Sequence, residues 1–101
     1  MPILQVFCPP GDDVAERMQR ACVAVAGALG LPDDAVIATH VPTGATVRRG
    51  HPAADQLVVV AHSSPRDPLL VRAATAALRA EADSWTTGEP AWVTWQTREQ
   101  P

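Results

Sequence analysis

Apolar positions along the chain follow two periods, and the alternation between them sets out the elements. From Pro2 to Cys8 only Gln5 carries a polar side chain, which reads as a short buried strand at the head of the chain. Pro9-Pro10-Gly11 then forces a turn, and Asp13-x-x-Glu16 has the form of a capping box opening a helix. Val14, Met18, Ala21, Cys22, Val25, Ala28 and Leu29 follow helical spacing, and Gly30 with Pro32 ends that run. A second strand is expected over Ala35 to Val41, closed by Pro42-Thr43-Gly44, with a hairpin or loop after it that carries Arg48 and Arg49. Leu57 to Ala61 is a β-branched run that needs cover on both faces. Ser63-Ser64-Pro65-Arg66 makes its exit turn, Asp67 caps a second helix with Pro68 at its first position, and Leu70, Ala73, Ala74, Ala77 and Leu78 mark the expected buried stripe. Ala91 to Thr97 is the last strand.

The order strand, helix, strand occurs twice, and the halves align without a gap. Pro2 falls opposite Leu57, Asp12 opposite Asp67, Ile37 opposite Trp92 and Thr39 opposite Thr94, each 55 positions apart. Such an offset is the mark of a duplicated β-α-β unit, whose crossover should be right-handed. The expected fold is therefore two-layer α/β, with a four-stranded sheet and two helices on one face. It forms a single domain over 1–101, with unit one at about 2–42, a hairpin or loop at 43–56 and unit two at about 57–98. The uncovered sheet face is too apolar to stay in water, so subunits should close around it.

Composition narrows the partners. The 101 residues, 47% hydrophobic and 19% charged, make an ordinary globular chain that buries a modest core and would gain from association. A net charge of -3 argues against nucleic acid or an anionic membrane surface as partner. With no long apolar stretch and no basic-then-apolar leader, the expectation is a soluble cytoplasmic protein. Cys8 and Cys22 lie in neither metal-ligand nor redox spacing and read as small core thiols, and the scattered His40, His51 and His62 imply no metal site. The alanine-rich, arginine-only composition is of a bacterial type.

All eight basic residues are arginines. If the chain does chemistry with an amine, only its terminus can supply one. An initiator methionine before a small residue is usually removed, which here would leave Pro2 with a free secondary amine directly on a strand. An α-amino group titrates near ~7.7–8.0. Apolar burial and a nearby guanidinium would both pull Pro2 toward its neutral form. The competing reading is a proline that merely leads a strand.

Pro2-Ile3-Leu4-Gln5-Val6, the Gly11 turn and Leu31-Pro32, with the length and topology above, resemble the tautomerase superfamily. Its members share β-α-β units and a catalytic amino-terminal proline. The opening resembles 4-oxalocrotonate tautomerase. The two-unit length is closer to macrophage migration inhibitory factor, malonate semialdehyde decarboxylase and cis-3-chloroacrylic acid dehalogenase. Ser63-Ser64-Pro65-Arg66 is similar to the decarboxylase's arginine-bearing turn, and Ala91-Trp92-Val93-Thr94-Trp95 to the dehalogenase's fourth strand. The resemblance implies Pro2 as base or acid, Arg66 as the partner of a substrate carboxylate, Ser64 as a backbone donor, Trp92 and Thr94 as pocket walls across a subunit boundary, a homotrimer and no cofactor. The chain departs from the pattern at Asp12 and Ile37, which stand at arginines of 4-oxalocrotonate tautomerase, at Ser64, which replaces a decarboxylase arginine, and at Thr94, which replaces a dehalogenase tyrosine. With the dehalogenase's late glutamate also missing, little remains to activate water.

The expected function is therefore a tautomerase or isomerase in which Pro2 moves a proton on a small 2-oxo or enol carboxylic acid. Arg66 would bind the carboxylate, with Ser64, Trp92, Thr94 and Ile37 around it. A decarboxylase or hydratase using protonated Pro2, and a non-catalytic trimeric binding protein, are the alternatives. His40, His62, Arg48 and Arg49 are secondary candidates, read first as backbone partners and a solvated pair.

Overall fold

A computed structural model describes residues 1–47, 49, 50 and 56–99. Its elements are β1 (Ile3–Cys8), α1 (Val14–Leu29), a 3₁₀ turn (Asp33–Ala35), β2 (Ile37–Pro42), β3 (Val58–Ser63), α2 (Pro68–Asp83) and β4 (Trp92–Thr97). Both strands of the second unit start later than the sequence pattern implies, and β2 starts at Ile37 because Asp33–Ala35 closes a 3₁₀ turn, with Ala35 N–H donating to Pro32 C=O at 3.0 Å.

The strands form one sheet in the order β2-β1-β3-β4. β1 runs parallel to β2 from Ile3 opposite Ile37, and β3 parallel to β4 from Val58 opposite Trp92. These starting pairs are 55 positions apart, so the sheet carries the duplication residue for residue. The flanking bonds repeat it too. Ile37 N–H donates to Pro2 C=O at 3.1 Å and Trp92 N–H to Leu57 C=O at 2.9 Å. Thr43 N–H donates to Cys8 C=O at 3.0 Å and Arg98 N–H to Ser63 C=O at 2.8 Å.

The two units meet along antiparallel β1 and β3, where Ile3 lies opposite His62, Gln5 opposite Val60 and Phe7 opposite Val58. Exchanging each residue for its counterpart turns the first pair into the last. The units are thus related by a half-turn about an axis through the Gln5–Val60 pair. That half-turn places Pro2 at one end of the sheet and its counterpart Leu57 at the other.

The helices do not keep the same phase. The buried stripe of α1 is Ala21, Val25 and Leu29, and that of α2 is Ala74, Leu78 and Ala82, 53 positions on. The gapless alignment expected from sequence therefore holds for the strands alone. Asp67 and Pro68 start α2 early after a short turn, and the connection to β4 takes up the difference. As a result Leu70 and Ala73, expected in the core, are exposed. The α1 cap also differs from expectation. Asp13 makes no side-chain cap bond and instead meets Arg17 at 2.8 Å, while Glu16 is drawn to Arg20 at 2.9 Å. The i,i+4 arginines outcompete the capping box. At α2 the cap forms, Asp67 accepting from Leu69 N–H at 2.8 Å. Gly30 ends α1 at a φ of 71°, a left-handed conformation that glycine adopts at little cost.

Leu4, Val6, Val59 and Ala61 of the central strands meet Ala21, Val25, Ala26, Ala74, Leu78 and Ala82 of the helices in one core. Alanines along both helices let them approach each other and the sheet closely, and Arg20 ties α1 to Glu81 of α2 at 2.7 Å. Since side chains alternate across a sheet, Ile3, Phe7, Ile37, Val41, Val58, Val60 and Trp92 fall on the opposite face. That face has no helix over it, and Ile3 and Ile37 stay 41% and 46% exposed. Among the described residues no helix is long and apolar enough to cross a membrane.

Candidate active site

The antiparallel pairing of β1 with β3 decides which sequence-distant residues share a sheet end. Pro2 sits one step beyond the Ile3–His62 pair, so the start of β1 meets the exit of β3 and the turn 63–66 that follows it. The start of β2 joins them through the Ile37–Pro2 bond. Pro2, Ile37, Ser64 and Arg66 are therefore gathered at one end of the sheet, with Arg98 alongside at the exit of β4.

Pro2 is among the fully buried side chains, whereas Met1 before it is 66% exposed. The proline is packed and the methionine is not. Arg66 lies in the turn between β3 and α2, and its Nε is buried with no hydrogen-bond partner among the described residues. Its neighbour Asp67 does not pair with it, because that carboxylate is taken by the α2 cap. The Ser63 hydroxyl is also occupied, donating to Ser64 C=O at 2.8 Å and accepting from Trp95 Nε1–H at 3.0 Å. This holds the turn against β4 and gives Trp95 a structural task.

The remaining candidates lie elsewhere. Trp92 starts β4 beside Val58, at the sheet end away from Pro2, and Thr94 sits mid-strand opposite Val60, exposed on the edge strand. One chain does not bring either to Pro2. His40 lies on β2, where Nε2–H donates to Cys8 C=O at 3.0 Å beside the Cys8 thiol at 3.5 Å. It satisfies a strand-end carbonyl. Arg49 is exposed next to Gly50, and Arg48 and His51 lie outside the described residues.

His62 is held in a chain of polar contacts that sequence did not reveal. Arg98 Nε–H donates to His62 Nδ1 at 3.3 Å, which leaves Nε2–H to donate to Gln5 Oε1 at 2.6 Å. Burial first, and the Arg98 guanidinium second, hold His62 below its ordinary value near 6.5. A base held low in the fold stays neutral there while the unfolded chain takes up a proton. Stability is thus full above pH ~6.5 and falls as the pH drops below it. Urea titrations at pH 7.5 and pH 5 should show this loss, and His62→Gln should reduce it. An unchanged pH dependence in that variant would remove His62 from the account.

A cleft of about 470 Å³ opens at the opposite end, around Leu57, Cys8, the Pro9-Pro10-Gly11 turn and Trp85. The 55-residue offset held part of the signal for it, since Leu57 is the counterpart of Pro2 and Cys8-Pro9-Pro10-Gly11 that of the turn 63–66, whereas Trp85 was not marked by it.

The sequence matches no family model and no curated protein. Solved structures match nearly its whole length. The fused 4-OT wild-type symmetric trimer superposes with a TM-score of 0.79 at 19% identity, covering 96% of this chain and 85% of that one. Macrophage migration inhibitory factor of Toxoplasma gondii gives a TM-score of 0.70 at 23% identity, covering 96% and 90%. The chain has the tautomerase-superfamily fold. Pt0534 inactivated by 2-oxo-3-pentynoate shares this fold too, with a TM-score of 0.72 at 22% identity, covering 96% of this chain and 85% of that one. Within the tautomerase fold, the gathering of Pro2 with the 63–66 turn follows from pairing two β-α-β units head to tail.

Proposed function

We propose that the chain is a cofactor-independent tautomerase or isomerase acting on a small 2-oxo or enol carboxylic acid, with Pro2 as its general base and acid once Met1 is removed. The observation that carries this reading is the buried Pro2 at the head of β1, sharing its sheet end with an Arg66 whose Nε is buried and has no hydrogen-bond partner among the described residues. A buried donor without a partner is costly, and an arginine fork suits both oxygens of a carboxylate. Bound at Arg66, such a substrate would lie at the Pro2 end of the sheet. Pro2 would take the proton from carbon or from the enol oxygen and return it to the other position. Negative charge on the oxygen would be met by a backbone N–H near Ser64 or by the guanidinium itself. Exposed Met1 is accessible for removal, and Ile37 would form an apolar wall.

The open apolar sheet face and the trimeric state of the fused 4-OT neighbour support a homotrimer. In a trimer Trp92 and Thr94 of one subunit would reach the Pro2 end of the next. The solution state is read directly from sedimentation.

The test is ketonisation of enol acids followed by ultraviolet absorbance, with phenylpyruvate, 2-hydroxymuconate and malonate semialdehyde as the panel. Arg66→Gln should lower kcat/KM about 10- to 100-fold, in line with about 1.5–3 kcal/mol for a hydrogen bond to a charged group. In addition, 2-oxo-3-pentynoate should add its mass to the peptide that begins at Pro2, because a neutral secondary amine adds to the activated alkyne. Malonate semialdehyde losing carbon dioxide would instead favour a decarboxylase. No turnover and no labelling would leave a binding protein.

A further inference from the structure

The half-turn that relates the strands of the two units gives the strand ends around Pro2 counterparts at the other end of the sheet, and the 55-residue offset pairs the turns that follow them in sequence. Leu57 stands for Pro2, Cys8 for Ser63 and Gly11 for Arg66, and around these counterparts lies the cleft of about 470 Å³. That volume is within the range of about 300–1,000 Å³ usual for small-molecule sites. We infer that this cleft is a second ligand site, one that binds flat apolar molecules lacking a carboxylate, either neutral or carrying an amine, and binds them without reaction.

Two substitutions between the ends, and the charges around the cleft, argue for this. Where the first end holds an imino acid, Leu57 offers a buried hydrocarbon, so no amine chemistry is possible there. Where the first end has Arg66, Gly11 offers no charge at all. The cleft's own guanidinium, Arg17, is already neutralised by Asp13 at 2.8 Å, and Glu89 on the rim adds a negative charge. A carboxylate entering the cleft would find no unpaired cation among the described residues that line it and would face Glu89. An amine would find the reverse.

The walls fit a ring. Val6, Val14 and Leu57 supply an apolar floor, and Trp85 stands on the wall, its indole anchored by Nε1–H donating to Glu81 Oε1 at 3.2 Å. A fixed indole offers stacking to an aromatic ligand and its π face to a cation. The Cys8 thiol is raised above its usual range, chiefly by burial, so it stays protonated and takes no covalent part. Gln56 holds the rim by donating to Pro90 C=O at 3.4 Å.

Gly11 permits a direct test. A Cβ built there meets Asp13 Oδ1 at 3.3 Å and Val14 Cγ2 at 3.9 Å, and the exposed Asp13 side chain need give by only a few tenths of an ångström, which its pair with Arg17 through Oδ2 allows. Gly11→Arg would thus place at this end the charge that Arg66 places at the other. The full chain, labelled with ¹⁵N, is titrated with benzyl alcohol, benzylamine and benzoate. Benzyl alcohol and benzylamine should shift the amides of Val6, Cys8 and Leu57 and the Trp85 indole N–H saturably, with benzoate at least about tenfold weaker. In Gly11→Arg the benzoate preference should rise about 10- to 100-fold, the gain of one charge-assisted hydrogen bond. Repeating the titration on a chain with a blocked amino terminus should give the same affinities, because the cleft is at the far end from Pro2. Benzoate binding as well as benzylamine, shifts confined to Ile3, Ser64 and Arg66, or a folded Gly11→Arg chain with unchanged preference would each overturn the inference.

Discussion

Blocking the amino terminus should lower kcat/KM for enol ketonisation by about 10²–10⁴-fold, the usual contribution of a positioned acid–base group. The cleanest block keeps every side chain in place, either by retaining Met1 or by extending the chain ahead of it. The nitrogen of Pro2 then becomes an amide with no basic lone pair. Pro2 is buried while Met1 is 66% exposed, so an added residue extends into solvent and leaves the core untouched. Pro2→Ala is the complementary variant. It leaves a primary amine at the same place and should keep part of the activity that the block removes. Because the chain contains no lysine, no other amine is present to substitute. Intact mass fixes the state of the terminus in each sample before rates are compared. Equal rates for blocked and unblocked chains would sink the role given to Pro2.

Leu4→Ala should cost about 2–5 kcal/mol of stability, in the range for a fully buried leucine truncated to alanine. Leu4 has no exposed surface, and its two cross-strand neighbours are Ala38 and Ala61. Methyl groups on both sides cannot extend into the space left behind, so the cavity stays open. The effect should therefore lie toward the upper part of that range. Urea denaturation at fixed protomer concentration measures it, since association would add a concentration-dependent term. Ile3→Ala makes the informative comparison. Ile3 lies on the uncovered sheet face, so its loss should change the concentration dependence of unfolding more than the protomer's own stability. A Leu4→Ala change below 1 kcal/mol would mean that the site repacks in a way the alanine neighbours do not allow.

The two kinds of signal in the chain differ in reach. The four strands, the two helices and the 55-residue repeat are local properties, written in spacings that each segment must satisfy to bury its own apolar side. Pro2 at the head of a buried strand, in a chain whose only amine is terminal, is also a local fact. The sheet bonds that repeat from Ile37–Pro2 to Trp92–Leu57 show how faithfully this repeat becomes structure. The capping box at Asp13 failed because a spacing cannot weigh competitors. Arg17 and Arg20, one helical turn on, take both carboxylates. The stripe assigned to α2 failed at Leu70 and Ala73 for a related reason. Several faces of an alanine-rich helix are apolar enough to pack, and the length of the preceding turn selects among them.

By itself, then, the sequence determined two β-α-β units, their repeat, and a strand that opens on an imino acid. The tertiary structure alone decided that β1 pairs antiparallel with β3, and this pairing brings the Arg66 turn to Pro2, sends Trp92 to the far end and opens a cleft around Leu57. It also joined Arg98 to His62 across 36 residues. The physical reason is that edge strands offer their backbone groups to any partner of suitable polarity. The choice of partner and register is settled only when both units bury their apolar faces together.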